Sequence, residues 1–256
     1  MSTGPDDPGG FVDQFSAVSS EYARFRPRYP RAIFAWIASL VSRHELAWDC
    51  ATGSGQAAVG LADDFAQVVA TDASADQLRH ATPHPRVTYR NARADASGLE
   101  AASVDAVTVA QALHWLPRDR FYAEVRRVAR PGGVLVAWGY HKPRIGVPDV
   151  DRAIEHFHDE VIGPYWRPER QIVTARFQTL EFPFEEIEAP AFEIQLPLTL
   201  AAFAAYLGTQ SATERYRQVV QDDPVEPFTR HEAAWGGAAS VREVRWPIFL
   251  RAGRVT

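Results

Sequence analysis

The chain has 256 residues, of which 46% are hydrophobic and 23% charged, and a formal net charge of −5. This is the profile of a globular protein with enough apolar material for a sizeable core. The acidic balance leaves no broad basic surface for neutralising phosphates, which argues against a nucleic-acid substrate; with Cys50 as the only cysteine no intrachain disulfide can form, and no run approaches the roughly 20 apolar residues that span a bilayer.

Residues 1–10 are rich in Gly, Pro and Asp and read as a disordered leader without the charged and apolar regions of a signal peptide, so a reducing cytoplasm is the default compartment. Pro27 and Pro30 bracket a turn, after which Ile33, Phe34, Ile37, Leu40 and Val41 recur at helical spacing and predict a first helix over 31–42. Strands are then expected at 46–51, 68–72, 87–91, 104–110 and 134–140, with helices between them at 57–64, 75–80 and 120–130. Such alternation predicts a parallel, doubly wound α/β sheet with right-handed crossovers and helices on both faces. From His141 the rhythm is broken by Pro143, Pro148, Pro164 and Pro168. A helix is expected over 150–162, strand-like runs at 184–197 and 241–252, and a helix between them at 200–220.

The turn after the first strand carries the strongest chemical signal. Gly53 and Gly55 allow a tight backbone bend with a ligand close to the chain, and the helix that follows offers free N–H groups. Asp72, at the tip of the next strand and about 20 residues on, can accept hydrogen bonds from both hydroxyls of a ribose. An adenosine-containing cofactor is therefore expected. The spacing alone also suits a nicotinamide dehydrogenase, with Ala58 at the third position of that fingerprint.

The surrounding residues resemble the class I S-adenosylmethionine-dependent methyltransferases, in particular the small-molecule branch that includes the trans-aconitate methyltransferases. Asp49-Cys50-Ala51-Thr52-Gly53-Ser54-Gly55 is similar to that family's D-x-G-x-G-x-G loop, with Ala51 where the first glycine is expected. Arg93-Ala94-Asp95-Ala96 resembles the segment bordering the adenine. The fourth strand and its exit through Ala110, Gln111 and Ala112, then Leu113-His114-Trp115 and Arg130-Pro131-Gly132-Gly133, follow in the family's order. Near the N-terminus, Tyr22, Arg26, Pro27, Tyr29 and Pro30 resemble the family's Y-x-x-x-R-P-x-Y-P lid. The resemblance covers roughly 11–140.

What it implies is a Rossmann-like, seven-stranded sheet, completed by antiparallel closing strands. The organisation is a leader and lid at 1–30, an S-adenosyl-L-methionine core at 31–140, and a substrate cap with the closing strands at 141–256. The implied cofactor residues are Tyr22, Arg26, Asp49, Ala51, Thr52, Gly53, Gly55, Gln56, Asp72, Ala73, Gln77, Ala94, Asp95, Ala96, Ala110 and Gln111. The acceptor is expected to be a small organic molecule met by Tyr29, Trp115, Tyr140, Trp166 and Tyr206, with Arg144, Arg167 and Arg170 able to meet an anion. O-methylation is the leading reading, at a carboxylate that needs no base or at a hydroxyl for which His114 would be the catalytic base. N- or C-methylation of a biosynthetic intermediate, or cofactor binding without transfer by a regulatory protein, are the alternatives. Cys50 has no base beside it and reads as a small buried side chain. His156 and His158, two apart on a helix, would not share a face, so no metal is expected. The chain is expected to act as a monomer or homodimer, without nucleic-acid or membrane partners.

Overall fold

The computed structural model describes residues 27–256. The first helix, α1 (Arg31–Ser39), buries Ile33, Phe34, Ile37 and Ala38 as one stripe, the spacing a helix needs to face a sheet. Then follow β1 (Leu46–Cys50), α2 (Gln56–Leu61), β2 (Gln67–Asp72), α3 (Ala75–Arg79), β3 (Val87–Asn91) and β4 (Val104–Ala110). After a single 3-10 turn (Leu113–Trp115) come α4 (Arg118–Val128) and the long β5 (Ala129–Tyr140). The cap begins with α5 (Pro148–His156), whose last turn widens into a π-helical segment (Phe157–Val161), and continues with α6 (Arg170–Thr174). The chain closes with β6 (Glu185–Glu186), β7 (Phe192–Leu198), α7 (Leu200–Gly208), α8 (Ser211–Val220), α9 (Glu232–Trp235) and β8 (Arg242–Arg254).

The sheet order is β3-β2-β1-β4-β5-β8-β6, with β7 also paired to β8. The first five strands are parallel, whereas β8 runs antiparallel to β5. Side chains alternate between the two faces, as the pleat requires. Trp48, Cys50, Val107, Val109, Leu135 and Ala137 pack with Phe121, Tyr122 and Val125 of α4. Ala47, Val68, Ala70, Ala106, Val134, Val136 and Trp138 pack with α1 and α2. Contact between those two helices needs Gly60, because a Cβ there would run into the ring of Phe34. A third cluster, with Ile154, Phe203, Tyr206, Leu207, Trp235 and Trp246, forms the centre of the cap.

Several expected boundaries move. The run 184–197 is not one strand: β6 and β7 share the same edge of β8, with Glu186 opposite Gly253 and Phe192 opposite Ile248. Six steps along that edge thus face five along β8, and the extra residue interrupts the ladder as a bulge does, next to Pro190, which has no N–H to donate. Seven strand positions are therefore filled by eight strands. The helix expected over 200–220 breaks after Gly208, where Thr213 Oγ1 and Arg217 Nη1 donate to the carbonyls of Leu207 and Gly208 at 2.9 and 3.0 Å. Residues 129–133 belong to the strand rather than to a preceding turn.

Candidate active site

The carboxyl ends of β1, β2 and β4 meet where the strand order reverses between β1 and β4, the crevice in which open α/β sheets bind ligands. Asp49, at the end of β1, is fully buried. Its carboxylate accepts from Thr52 Oγ1 at 2.5 Å and Thr108 Oγ1 at 2.7 Å. Burial outweighs these bonds and pushes its pKa up to about 6. Ala51 then adopts φ 54°, a left-handed conformation that costs an L-residue roughly 1–2 kcal/mol. Thr52 N donates to the Thr71 carbonyl at 3.0 Å, which holds the start of the turn against the end of β2.

Asp72 closes the turn from the other side. Its Oδ2 accepts from Gly53 N and its Oδ1 from Ser74 N, each at 2.8 Å, which fixes the carboxylate at the tip of β2 beside the turn. Gly55 has φ 81°, and a Cβ on it would come within 2.8 Å of the Tyr89 ring. Tyr89 Oη in turn donates to the Thr82 carbonyl at 2.6 Å, and burial pushes its pKa to about 12. Gln77 lies beside Gly53, where its Oε1 would be 3.7 Å from an added Cβ. Gln56 Nε2 donates to the Pro27 carbonyl at 3.2 Å.

Beyond β3, Asn91 Nδ2 donates to the carbonyls of Asp72 and Ala73 at 2.9 and 3.0 Å. A bridge between Arg93 and Ala96 folds the next segment around Ala94. Asp95 accepts from Arg93 Nε at 2.9 Å, which holds its carboxyl below the usual range. At the exit of β4, Ala110 is followed by Gln111 with φ 57°, whose N–H donates to the Trp138 carbonyl at 2.8 Å.

Gln111 also opens onto a cavity of about 850 Å³ between the sheet and the cap. Its wall includes His114, Trp115, Tyr140, Trp166, Arg170 and Tyr206. His114 packs against Trp115 and Phe177 with centroids 4.7 and 6.3 Å apart, and its Nδ1 is buried without a hydrogen-bond partner among the described residues. Burial, assisted by the charge of Arg170, lowers its pKa to about 4. His141 and His158 line the same space, lowered by the same causes to about 4 and about 3. His158 Nδ1 lies 2.9 Å from the Ile154 carbonyl and so carries the proton. The Tyr206 hydroxyl accepts from Trp246 Nε1 at 2.9 Å.

Residues 48–137 match the family described as "Methyltransferase domain". The solved "Putative Type II Methyltransferase" from Anaeromyxobacter dehalogenans is 45% identical, superposes with a TM-score of 0.86, and is covered over 98% of its length by 90% of this chain. A "Putative methyltransferase" of Dictyostelium discoideum is 27% identical over 250 residues, 95% of each chain. The chain belongs to the class I S-adenosylmethionine-dependent methyltransferases. An "Uncharacterized methyltransferase" of Mycobacterium bovis is 36% identical over 136 residues, 52% of this chain and 54% of the relative.

The cofactor of this methyltransferase is S-adenosylmethionine, and the residues at the strand ends suit it. Asp72 places a carboxylate beside a turn whose positive-φ glycines, Gly53 and Gly55, carry no Cβ. The methyltransferase gathers Asp49, Ala51, Thr52, Gly53, Gly55, Gln56, Asp72, Ala73 and Gln77 around that turn, with Ala94, Asp95 and Ala96 beyond β3 and Ala110 and Gln111 at the cavity. Of the residues expected to meet the acceptor, Trp115, Tyr140, Trp166 and Tyr206 line the cavity. Tyr29 does not, packing instead on Trp138 with centroids 5.4 Å apart. Tyr22 and Arg26 lie outside the described residues. Sequence reasoning missed Tyr89, Asn91, Thr108 and His141. It weighed His158 only as a metal ligand, since nothing in the sequence signals the π-helical turn that carries it.

Proposed function

We propose that the acceptor is a small organic molecule, that methyl is transferred to oxygen, and that this oxygen belongs to a carboxylate. Bound S-adenosylmethionine supplies a sulfonium methyl that is already electrophilic, so the protein has mainly to align the nucleophile and exclude water. The reading is supported above all by the acidities in the cavity. His114, His141 and His158, with pKa values of about 4, 4 and 3, are neutral at pH 7 and weak as bases. A hydroxyl or ammonium acceptor would ask them to remove its proton. A carboxylate arrives ionised, and the neutral imidazoles then serve as hydrogen-bonding walls. A cavity of about 850 Å³ lies in the range of small-molecule sites. With no helix among the described residues long and apolar enough to cross a membrane, a cytoplasmic monomer or homodimer acting on such metabolites is consistent with the reading.

The test is a screen of carboxylic acids, phenols and amines with S-adenosylmethionine, reading S-adenosylhomocysteine release and locating the methyl group by NMR. Methyl esters are the expected products; turnover confined to amines or carbon acids would refute the proposal.

A further inference from the structure

Among the charged side chains around the cavity, those of Arg167 and Arg170 have no ion-pair partner among the described residues, and Arg170 is the more deeply placed, with burial lowering its pKa. Arg217 Nη2 pairs with Asp223 at 2.9 Å and Arg230 Nη2 with Glu226 at 3.3 Å. Glu214 accepts from Gln218 Nε2 at 3.2 Å, and Arg215 Nη1 donates to the Tyr165 carbonyl at 3.0 Å. Arg215 also feels the repulsion of Arg167 and the attraction of Glu169. The Arg170 side chain has no hydrogen bond or ion pair among the described residues. Its guanidinium carbon lies 4.3 Å from the centre of the Trp166 ring, which supports one face by a cation–π contact and leaves the N–H edges without acceptors. The cation acts on His114, His141 and His158 together, so it sits centrally among the walls of the cavity. Burial lowers its pKa, and Tyr206 and Tyr140 offset that only in part.

Such an arrangement is costly, because a half-buried cation without an ion-pair partner loses part of its hydration and gains little in return. A carboxylate laid edge-on to the guanidinium would form two parallel charge-assisted bonds. Its planar body would then meet the aromatic part of the same wall, which includes Trp115, Tyr140 and Tyr206. We infer that Arg170, stacked on Trp166, is the specificity-determining residue of the acceptor cavity and selects a planar monocarboxylate. This rests on the small-molecule reading above and deepens it by naming the charge, the shape and the residue that reads them.

The experiment titrates the full chain, preloaded with S-adenosylhomocysteine, with benzoate, 4-hydroxybenzoate and trans-cinnamate, each beside its neutral carboxamide. At least one acid should bind ten-fold or more tightly than its amide, a preference within the range of one charge-assisted interaction. It should disappear in Arg170→Met and persist in part in Arg170→Lys. Absence of binding throughout the panel, equal binding of acid and amide, or a preference that survives Arg170→Met would overturn the inference. S-adenosylhomocysteine binding separates the readings: its failure in the wild type would sink the cofactor assignment, whereas its success with a failed acid preference sinks only the role of Arg170. If Arg170→Met does not fold, arginine modification of the wild type by phenylglyoxal, read by mass spectrometry, decides. The acid must shield Arg170 where the amide does not, and equal labelling counts against the inference.

Discussion

Asp49→Asn isolates the energetic cost of the buried acid beneath the cofactor turn. Folding raises the Asp49 pKa from 3.8 to about 6, so between those values the native protein holds a proton that the unfolded chain has released. The native state binds more protons in that window, and stability must fall as pH rises through it. The contribution of Asp49 is fully present below pH 4, declines from there to about pH 6 and is gone above it. At about 1.4 kcal/mol per unit, the loss is on the order of 3 kcal/mol. Asparagine cannot ionise, yet keeps an acceptor for one of the two threonine hydroxyls. Glu124, which Arg127 and Ser97 hold at about 2, has the opposite dependence, with stability lost as pH falls below about 4.5, but it is common to both proteins and cancels in the difference. Thermal or urea unfolding of the cofactor-free proteins between pH 4 and pH 8 provides the assay. The stability of Asp49→Asn relative to wild type should climb from pH 4 to pH 6 and then level off. Parallel curves across that range would refute the reasoning.

Ala51→Gly should remove most of the left-handed strain, partly offset by the greater freedom of glycine in the unfolded chain, for a net gain of roughly 0.5–1 kcal/mol; calorimetry showing no gain would count against it. Gly55→Ala should cost more than about 1 kcal/mol and weaken S-adenosylmethionine binding, and adding Tyr89→Ala should recover part of the loss by removing the ring but not the φ strain. Asp72→Ala should lower S-adenosylmethionine affinity by one or two bonds of about 1.5–3 kcal/mol each, and unchanged affinity in a calorimetric titration would remove the ribose assignment.

The parallel half of the fold was legible because β1, β2 and β4 are short apolar runs closed by a turn signal, from the glycine turn after Cys50 to the acid at Asp72. The cap was less so. Residues 184–197 alternate well enough to be one strand, and the register slip near Pro190 depends on the length of β8, which local pattern does not encode. Likewise 200–220 is helix-forming on both sides of Gly208-Thr209-Gln210-Ser211, a stop signal that the expected single helix passed over, and the break is stabilised by Thr213 and Arg217 bonding back to the end of α7. In the site, the loop motif places Asp49 but not its partners: beside a backbone bond from Ala58 it takes two threonine hydroxyls, and Thr108 comes from a strand 59 positions away. Tyr89 read as an ordinary strand residue because its place over Gly55 follows only from the pairing of β2 with β3.

The thirteen-residue β8 belongs to two cores. Ala252 lies in the cluster behind the sheet, while Val244 and Trp246 lie in the cap, and the strand runs unbroken between them. The cap is thus a cantilever built into the sheet rather than a separate body on a hinge. Load on one end is carried to the other, so that a lesion around Trp246 should lower the melting of the whole sheet, and amides along β8 should exchange with solvent as a single cooperative unit.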